Sequence, residues 1–129
     1  MRRLARELVF QLAFAYSFTS QKDDETLELF LQNSELDESD KIYIKNTYEG
    51  IMENYEKCLE IVAQNISGYT LDRVYKSDLV SMIYATYEIR FNNVPEKLAI
   101  NEAIDIAKKY GCEKSGSFVN GVLAKIVSK

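Results

Sequence analysis

The stretch KIYIKNTYEGIMENYEKCLEIVAQNI, residues 41–66, decides the fold class. Its apolar residues Ile44, Tyr48, Ile51, Met52, Tyr55, Leu59, Val62 and Ile66 recur mostly three or four positions apart. That is the period of one face of an α-helix, not the strict alternation of a strand. The spacing predicts one long helix that starts at the cap candidates Asp37 and Ser39 and ends at Gly68 as its C′ residue, with Gly50 the candidate break. At about 1.5 Å per residue it spans on the order of 40 Å.

The rest of the chain repeats the pattern. Arg3 to Phe18 reads as a first helix with Leu4, Leu8, Leu12 and Ala15 as its inner stripe, widened by Ala5, Val9 and Tyr16. Arg2, Arg3 and Arg6 fall within about 100° of one another on the opposite side, and Phe10 and Phe14 continue that side. Leu27, Phe30 and Leu31 mark a short second helix ending near Asn33. Tyr69 to Tyr75 reads as a connector or a single turn, after which Ser77 caps a helix carrying Asp78 in its first turn. In that helix Leu79, Met82, Ile83 and Thr86 are the expected buried face, flanked by Tyr84 and Tyr87. Asn92-Asn93-Val94-Pro95 interrupts the chain, and the next helix buries Ala103, Ile104, Ala107 and Tyr110 before stopping at Gly111. Ser115 is the candidate cap of a last helix facing inward through Val119, Val122, Leu123 and Ile126.

Composition agrees with this reading. The 129 residues are 47% hydrophobic, enough for a core without disulfides or metals, and one proline with five glycines leaves little room for a fold of many short strands. The expectation is an all-α, compact bundle of about six or seven helices, a single domain over residues 1–129. No apolar run approaches the roughly 20 residues of a membrane crossing, so the expected setting is cytoplasmic, with no membrane partner.

Several chemistries are excluded by what is missing. Without histidine there is no Ser-His-Asp triad, imidazole relay or His-ligated zinc. Cys58 and Cys112 are isolated, which leaves neither CxxC spacing nor a disulfide framework. Gly111-Cys112-Glu113-Lys114-Ser115-Gly116-Ser117 has the two glycines of a phosphate loop, but Ser117 stands where the lysine belongs and no strand precedes it. Lys114 and Ser115 at a helix N-terminus still suit a backbone phosphate, against the plainer role of a cap. The paired carboxylates of residues 23–60 come with no apolar pocket to raise a pKa. The expectation is no enzyme, no cofactor and no metal.

Charge does not oppose a nucleic-acid partner, although the total is −4. Twelve acids against three lysines lie in residues 23–60, whereas residues 1–22 carry Arg2, Arg3, Arg6 and Lys22 against Glu7 alone. Salt screens beyond about 8 Å, so an anion on the basic ends feels the acidic block weakly. Arginines beside aromatics suit single-stranded RNA, where guanidinium meets phosphate and rings stack on bases.

Val94-Pro95-Glu96-Lys97-Leu98-Ala99-Ile100-Asn101-Glu102-Ala103-Ile104-Asp105-Ile106-Ala107-Lys108-Lys109-Tyr110-Gly111, followed by Lys114-Ser115-Gly116-Ser117-Phe118-Val119-Asn120-Gly121-Val122-Leu123, resembles the signature of the NusB family of bacterial transcription antitermination factors. Arg3-Leu4-Ala5-Arg6-Glu7 resembles the family's arginine-rich opening and Tyr87-Glu88-Ile89 its Tyr-Glu-Leu. The resemblance implies an all-helical fold that binds boxA RNA of ribosomal RNA leaders together with NusE, a small-subunit ribosomal protein, and through it joins the antitermination complex with RNA polymerase. By position it implies RNA contacts at Arg2, Arg3, Arg6 and Phe118, with Phe14 and Asp78 near the RNA; the helix-start reading adds Lys114 and Ser115. Lys114 stands where some members carry an acid, which strengthens phosphate attraction there. One strand touching both ends of the chain requires the amino-terminal arginines to lie beside the Phe118 ring. The alternative reading is a protein-binding module or homodimer that buries Phe10, Phe14 and Phe118 between copies. The accessory domain of an RNA methyltransferase shares this fold, but the chain leaves no room for its catalytic part.

Overall fold

A computed structural model of the chain describes residues 2–68 and 70–128. Among them are six α-helices, one 3₁₀ turn and no strand: α1 (Arg2–Thr19), α2 (Asp24–Phe30), α3 (Glu38–Gln64), the 3₁₀ turn (Leu71–Arg73), α4 (Lys76–Phe91), α5 (Glu96–Tyr110) and α6 (Ser115–Val127). The all-α expectation holds, helix by helix. The chain forms two compact units, Met1–Glu53 and Asn54–Lys129.

In the first unit α1 presents a different face inward from the one its leucines suggest. Its buried residues are Ala5, Arg6, Leu8, Val9, Phe10, Leu12 and Ala13, while Leu4 is half-buried and Ala15 exposed. Phe10 decides the rotation. Its ring is wholly inaccessible, and burying an aromatic removes on the order of 150–250 Å² from water, far more than Ala15 could. Ser20 ends the helix in the left-handed region at φ 58°, its N–H donating to Tyr16 O at 2.8 Å.

Asp23 caps α2: Oδ1 accepts from Thr26 N at 2.9 Å and Oδ2 from the Thr26 hydroxyl at 2.6 Å. The Thr26 hydroxyl first, then its N–H, holds the Asp23 carboxyl below its ordinary range. Leu27 anchors the helix, and the fully buried Tyr48 accepts at its hydroxyl from Asp23 N at 2.9 Å. At the start of α3 the two candidate caps separate. Asp37 Oδ1 accepts from Asp40 N at 2.8 Å and Asp40 Oδ2 from Asp37 N at 3.4 Å, a reciprocal cap, which leaves Ser39 inside the first turn.

Helix α3 is unbroken at Gly50 and buries Ile44, Tyr48, Ile51, Tyr55 and Val62 as its period requires, with Cys58 rather than Leu59 completing the stripe. It stops at Gln64, short of Gly68. Asn65 turns the chain there, its Nδ2 donating to Ile61 O at 2.8 Å and its N–H to Val62 O at 3.0 Å. Gly68 follows with φ +95°.

In the second unit α4, α5 and α6 pack against one another. Every residue of α4 from Ser77 to Glu88 is buried, so it is a central helix without the one-sided stripe expected of it. Its hydroxyls turn back on their own backbone, Ser81 Oγ to Asp78 O at 2.8 Å and Thr86 Oγ1 to Met82 O at 2.7 Å. Ser77 lies within the first turn and Tyr75 precedes the helix without a side-chain cap, whereas Asp78 is in the first turn as expected. The expected connector is the 3₁₀ turn with its flanks, and Tyr69 lies outside the described residues.

Helix α5 buries Ala99, Ala103, Ile106 and Ala107, with Ile104 half-buried and Tyr110 at the surface. Alanines at i, i+4 and i+8 let its neighbours approach closely. Helix α6 buries Val119, Val122, Leu123 and Ile126 as read from sequence, and Arg90 Nη2 donates to Ile126 O at its far end. Gly111 ends α5 for reasons of space: a Cβ there would meet the Ser115 hydroxyl, Ala107 O at 2.7 Å and Asp78 Oδ1 at 2.9 Å.

Candidate nucleic-acid interface

The candidate residues fall into two groups, one in each unit. In the first unit the start of α1 meets the start of α3. The Arg2 guanidinium lies 4.3 Å from the Tyr43 ring centre and that of Arg6 5.4 Å from it. Arg2 also donates through Nη2 to Ser39 Oγ at 3.0 Å and pairs through Nε with Asp40 at 3.4 Å, its side chain still 47% exposed. Arg3 is exposed. Arg6 is not on the open side assigned by the helical wheel, being only 7% exposed. Phe14 is half-buried within an aromatic ladder, 5.5 Å from the stacked Phe10 ring and 5.1 Å from the edge-on Phe18 ring. Phe10 is spent inside its own chain, so neither RNA nor a second copy can use it.

Sequence reasoning offered Ser39 only as a helix cap and did not single out Tyr43 or Asp40. They stand some 37 positions from the arginines, and no local pattern announces such a pairing.

In the second unit Asp78, Lys114, Ser115 and Phe118 converge on one pocket of about 500 Å³, joined by Arg73 and Cys112. The 3₁₀ turn and α4 supply Arg73 and Asp78; the α5–α6 turn and the start of α6 supply the others. Lys114 is exposed and Phe118 half-buried, an aromatic face beside cations at a helix N-terminus. Ser115 is the first residue of α6, its buried hydroxyl accepting from Cys112 N at 2.9 Å. Its bond therefore braces the turn. Arg73 was not singled out from sequence; it is five residues from Asp78 in a turn with no helical period to flag it.

Asp78 is 3% exposed, and its Oδ1 has no hydrogen-bond partner. Burial raises its carboxyl above the ordinary value, and Ser115 pulls it only part of the way back. A carboxyl raised by folding favours the folded state most at low pH, where it is protonated, and loses that advantage as pH rises through its folded value. Asp78→Asn should therefore be more stable than the parent at pH 7, and the gain should shrink as pH falls toward 3.8, the ordinary carboxyl value. Chemical denaturation of both proteins across pH 3–7 checks this; a constant difference would contradict it.

A family model described as the NusB family matches residues 3–128, nearly the whole chain. The chain belongs to the NusB family. Among its relatives, the transcription antitermination protein NusB of Fusobacterium nucleatum is 39% identical, over 96% of this chain and 86% of the relative. That of Clostridium perfringens is 41% identical, over 95% and 93%. Among solved structures, T. maritima NusB superposes with a TM-score of 0.89 at 33% identity, covering 100% of this chain and 92% of that one. A crystal structure of antitermination factors NusB and NusE in complex with dsRNA shares the fold, with a TM-score of 0.86 at 22% identity, over 98% and 96%. The all-helical expectation drawn from the NusB resemblance is thus met along the full length. Among the described residues of this NusB-family chain no helix is long and apolar enough to cross a membrane.

Proposed function

We propose that this NusB-family chain is a cytoplasmic, non-enzymatic transcription antitermination factor that binds boxA-like single-stranded RNA of ribosomal RNA leaders together with NusE. The observation that carries the reading is the pocket that Phe118, Lys114 and Arg73 line together. A ring for a base and cations for the flanking phosphates are what a single strand requires. Arg2 and Arg3 supply further phosphate contacts, and Arg6 stands behind them against Tyr43. The two units act as one RNA-binding domain, and NusE brings the RNA-bound protein to RNA polymerase.

Each phosphate neutralised on a single strand contributes about −0.7 to the salt slope, so Arg2, Arg3, Arg73 and Lys114 together give only about −3. Binding by the chain alone is therefore modest, and RNA and NusE each tighten the other's hold. Fluorescence titration of a boxA RNA with and without NusE, at several salt concentrations, tests this. Replacing Arg2 and Arg3 together by Ala should flatten the slope by about 1.4. An unchanged affinity and slope would remove both residues from the interface.

A further inference from the structure

The second unit holds one large ring in the open that neither its core nor the residues already placed on RNA account for. Tyr75 is 60% exposed, the most of any large apolar side chain described in that unit, and it lines the same pocket as Phe118, Arg73 and Lys114. The backbone puts it there. Val74 (φ −84°, ψ 133°) and Tyr75 (φ −58°, ψ 136°) are both extended, and successive side chains of an extended chain point to different sides. Val74 is buried, so Tyr75 turns outward.

The segment is pinned at both ends. Val74 N–H donates to Leu71 O at 3.1 Å, and Tyr75 O accepts from Leu79 N–H at 2.9 Å. A ring on a backbone held this way gives up little freedom when a ligand covers it. Tyr75 precedes α4 without a side-chain cap, so the helix start does not depend on the phenol.

A single surface aromatic needs no explanation. Here the pocket is lined from two segments that each bring one cation and one ring. Arg73 and Tyr75 come from the approach to α4, Lys114 and Phe118 from the start of α6. A nucleotide offers one phosphate and one base, so two such pairs match two nucleotides of a single strand.

We infer that Tyr75 is a second base-stacking residue of the pocket, and that the Arg73–Tyr75 and Lys114–Phe118 pairs take two successive nucleotides. The inference rests on the RNA-binding reading and deepens it. The cations choose the occupant: an apolar peptide segment would cover the rings and leave both positive charges unanswered.

The test is fluorescence titration of boxA RNA with the parent, Tyr75→Ala, Tyr75→Phe and Phe118→Ala, using intact RNA and RNAs with an abasic site at each position in turn. Tyr75→Ala should weaken binding of the intact RNA by about 5- to 100-fold, the range for one base on an aromatic face. Its salt slope should not change, since no charge is removed, and Tyr75→Phe should hold most of the affinity. Because the side chain is exposed and caps nothing, the melting temperature of Tyr75→Ala should stay within about 2 °C of the parent's. One abasic position should cost the parent affinity but not Tyr75→Ala, and it should adjoin the position to which Phe118→Ala is indifferent. Parental affinity in Tyr75→Ala beside a weakened Phe118→Ala refutes the Tyr75 site and leaves the RNA reading standing. The same abasic position for both variants refutes the division into two nucleotides. A Tyr75→Ala loss seen only when NusE is present assigns the ring to the protein partner and overturns the inference. A parent that binds no boxA RNA, with or without NusE, ends the RNA reading and the inference together.

Discussion

Replacing Phe118 by Ala is expected to weaken boxA RNA binding by about 10- to 100-fold, because a base stacked on an aromatic side chain is worth about 1–3 kcal/mol. The ring is half-buried in the pocket wall, close enough to the protein to be held and open enough to be covered. Two features separate this result from a general loss of structure. The salt slope should stay where it is, since no charge has been removed, in contrast to the arginine variants. Phe118→Tyr, which keeps the aromatic face, should recover most of the affinity, whereas Phe118→Leu should not. Binding by Phe118→Ala at parental strength would refute the stacking role.

Phe10→Ala should destabilise the protein by about 3–5 kcal/mol, the usual range for emptying a fully buried aromatic site. In a chain of this size that lowers the melting temperature by on the order of 10–20 °C. Well below that temperature, RNA affinity and salt slope should match the parent, for Phe10 is inaccessible to any ligand. The helical wheel gives the opposite expectation, Phe10 beside the arginines and open to RNA. Thermal unfolding and RNA titration of this single variant therefore decide which face of α1 points inward.

The same variant marks where the sequence stops being informative. A wheel weighted by leucines puts Leu4 and Ala15 inside, but in the folded chain a ring of Phe10's size outweighs both. Rotating α1 toward Ala5, Val9, Phe10 and Ala13 draws Arg6 inward with them. The guanidinium is tolerated because Tyr43 receives it, and Tyr43 is brought there by a helix that begins some twenty residues after α1 has ended. In α4 the amphipathic pattern fails for a different reason: a helix buried on every side has no wet face to record a period.

The sequence by itself determined what depends on neighbours within a turn or two: the all-helical class, the breaks near Asn92–Pro95 and Gly111, and the inward face of α6. Its signature for the NusB family did as much for the whole length. Only the tertiary structure decided which face of α1 is hidden, that Arg2 and Arg6 share the Tyr43 ring, and that Asp78 meets Lys114, Cys112 and Phe118 in one pocket. Helical periodicity reports the direction of a side chain about its own axis. Packing chooses the partner across a gap of more than thirty residues, where bulk and burial outweigh any local preference.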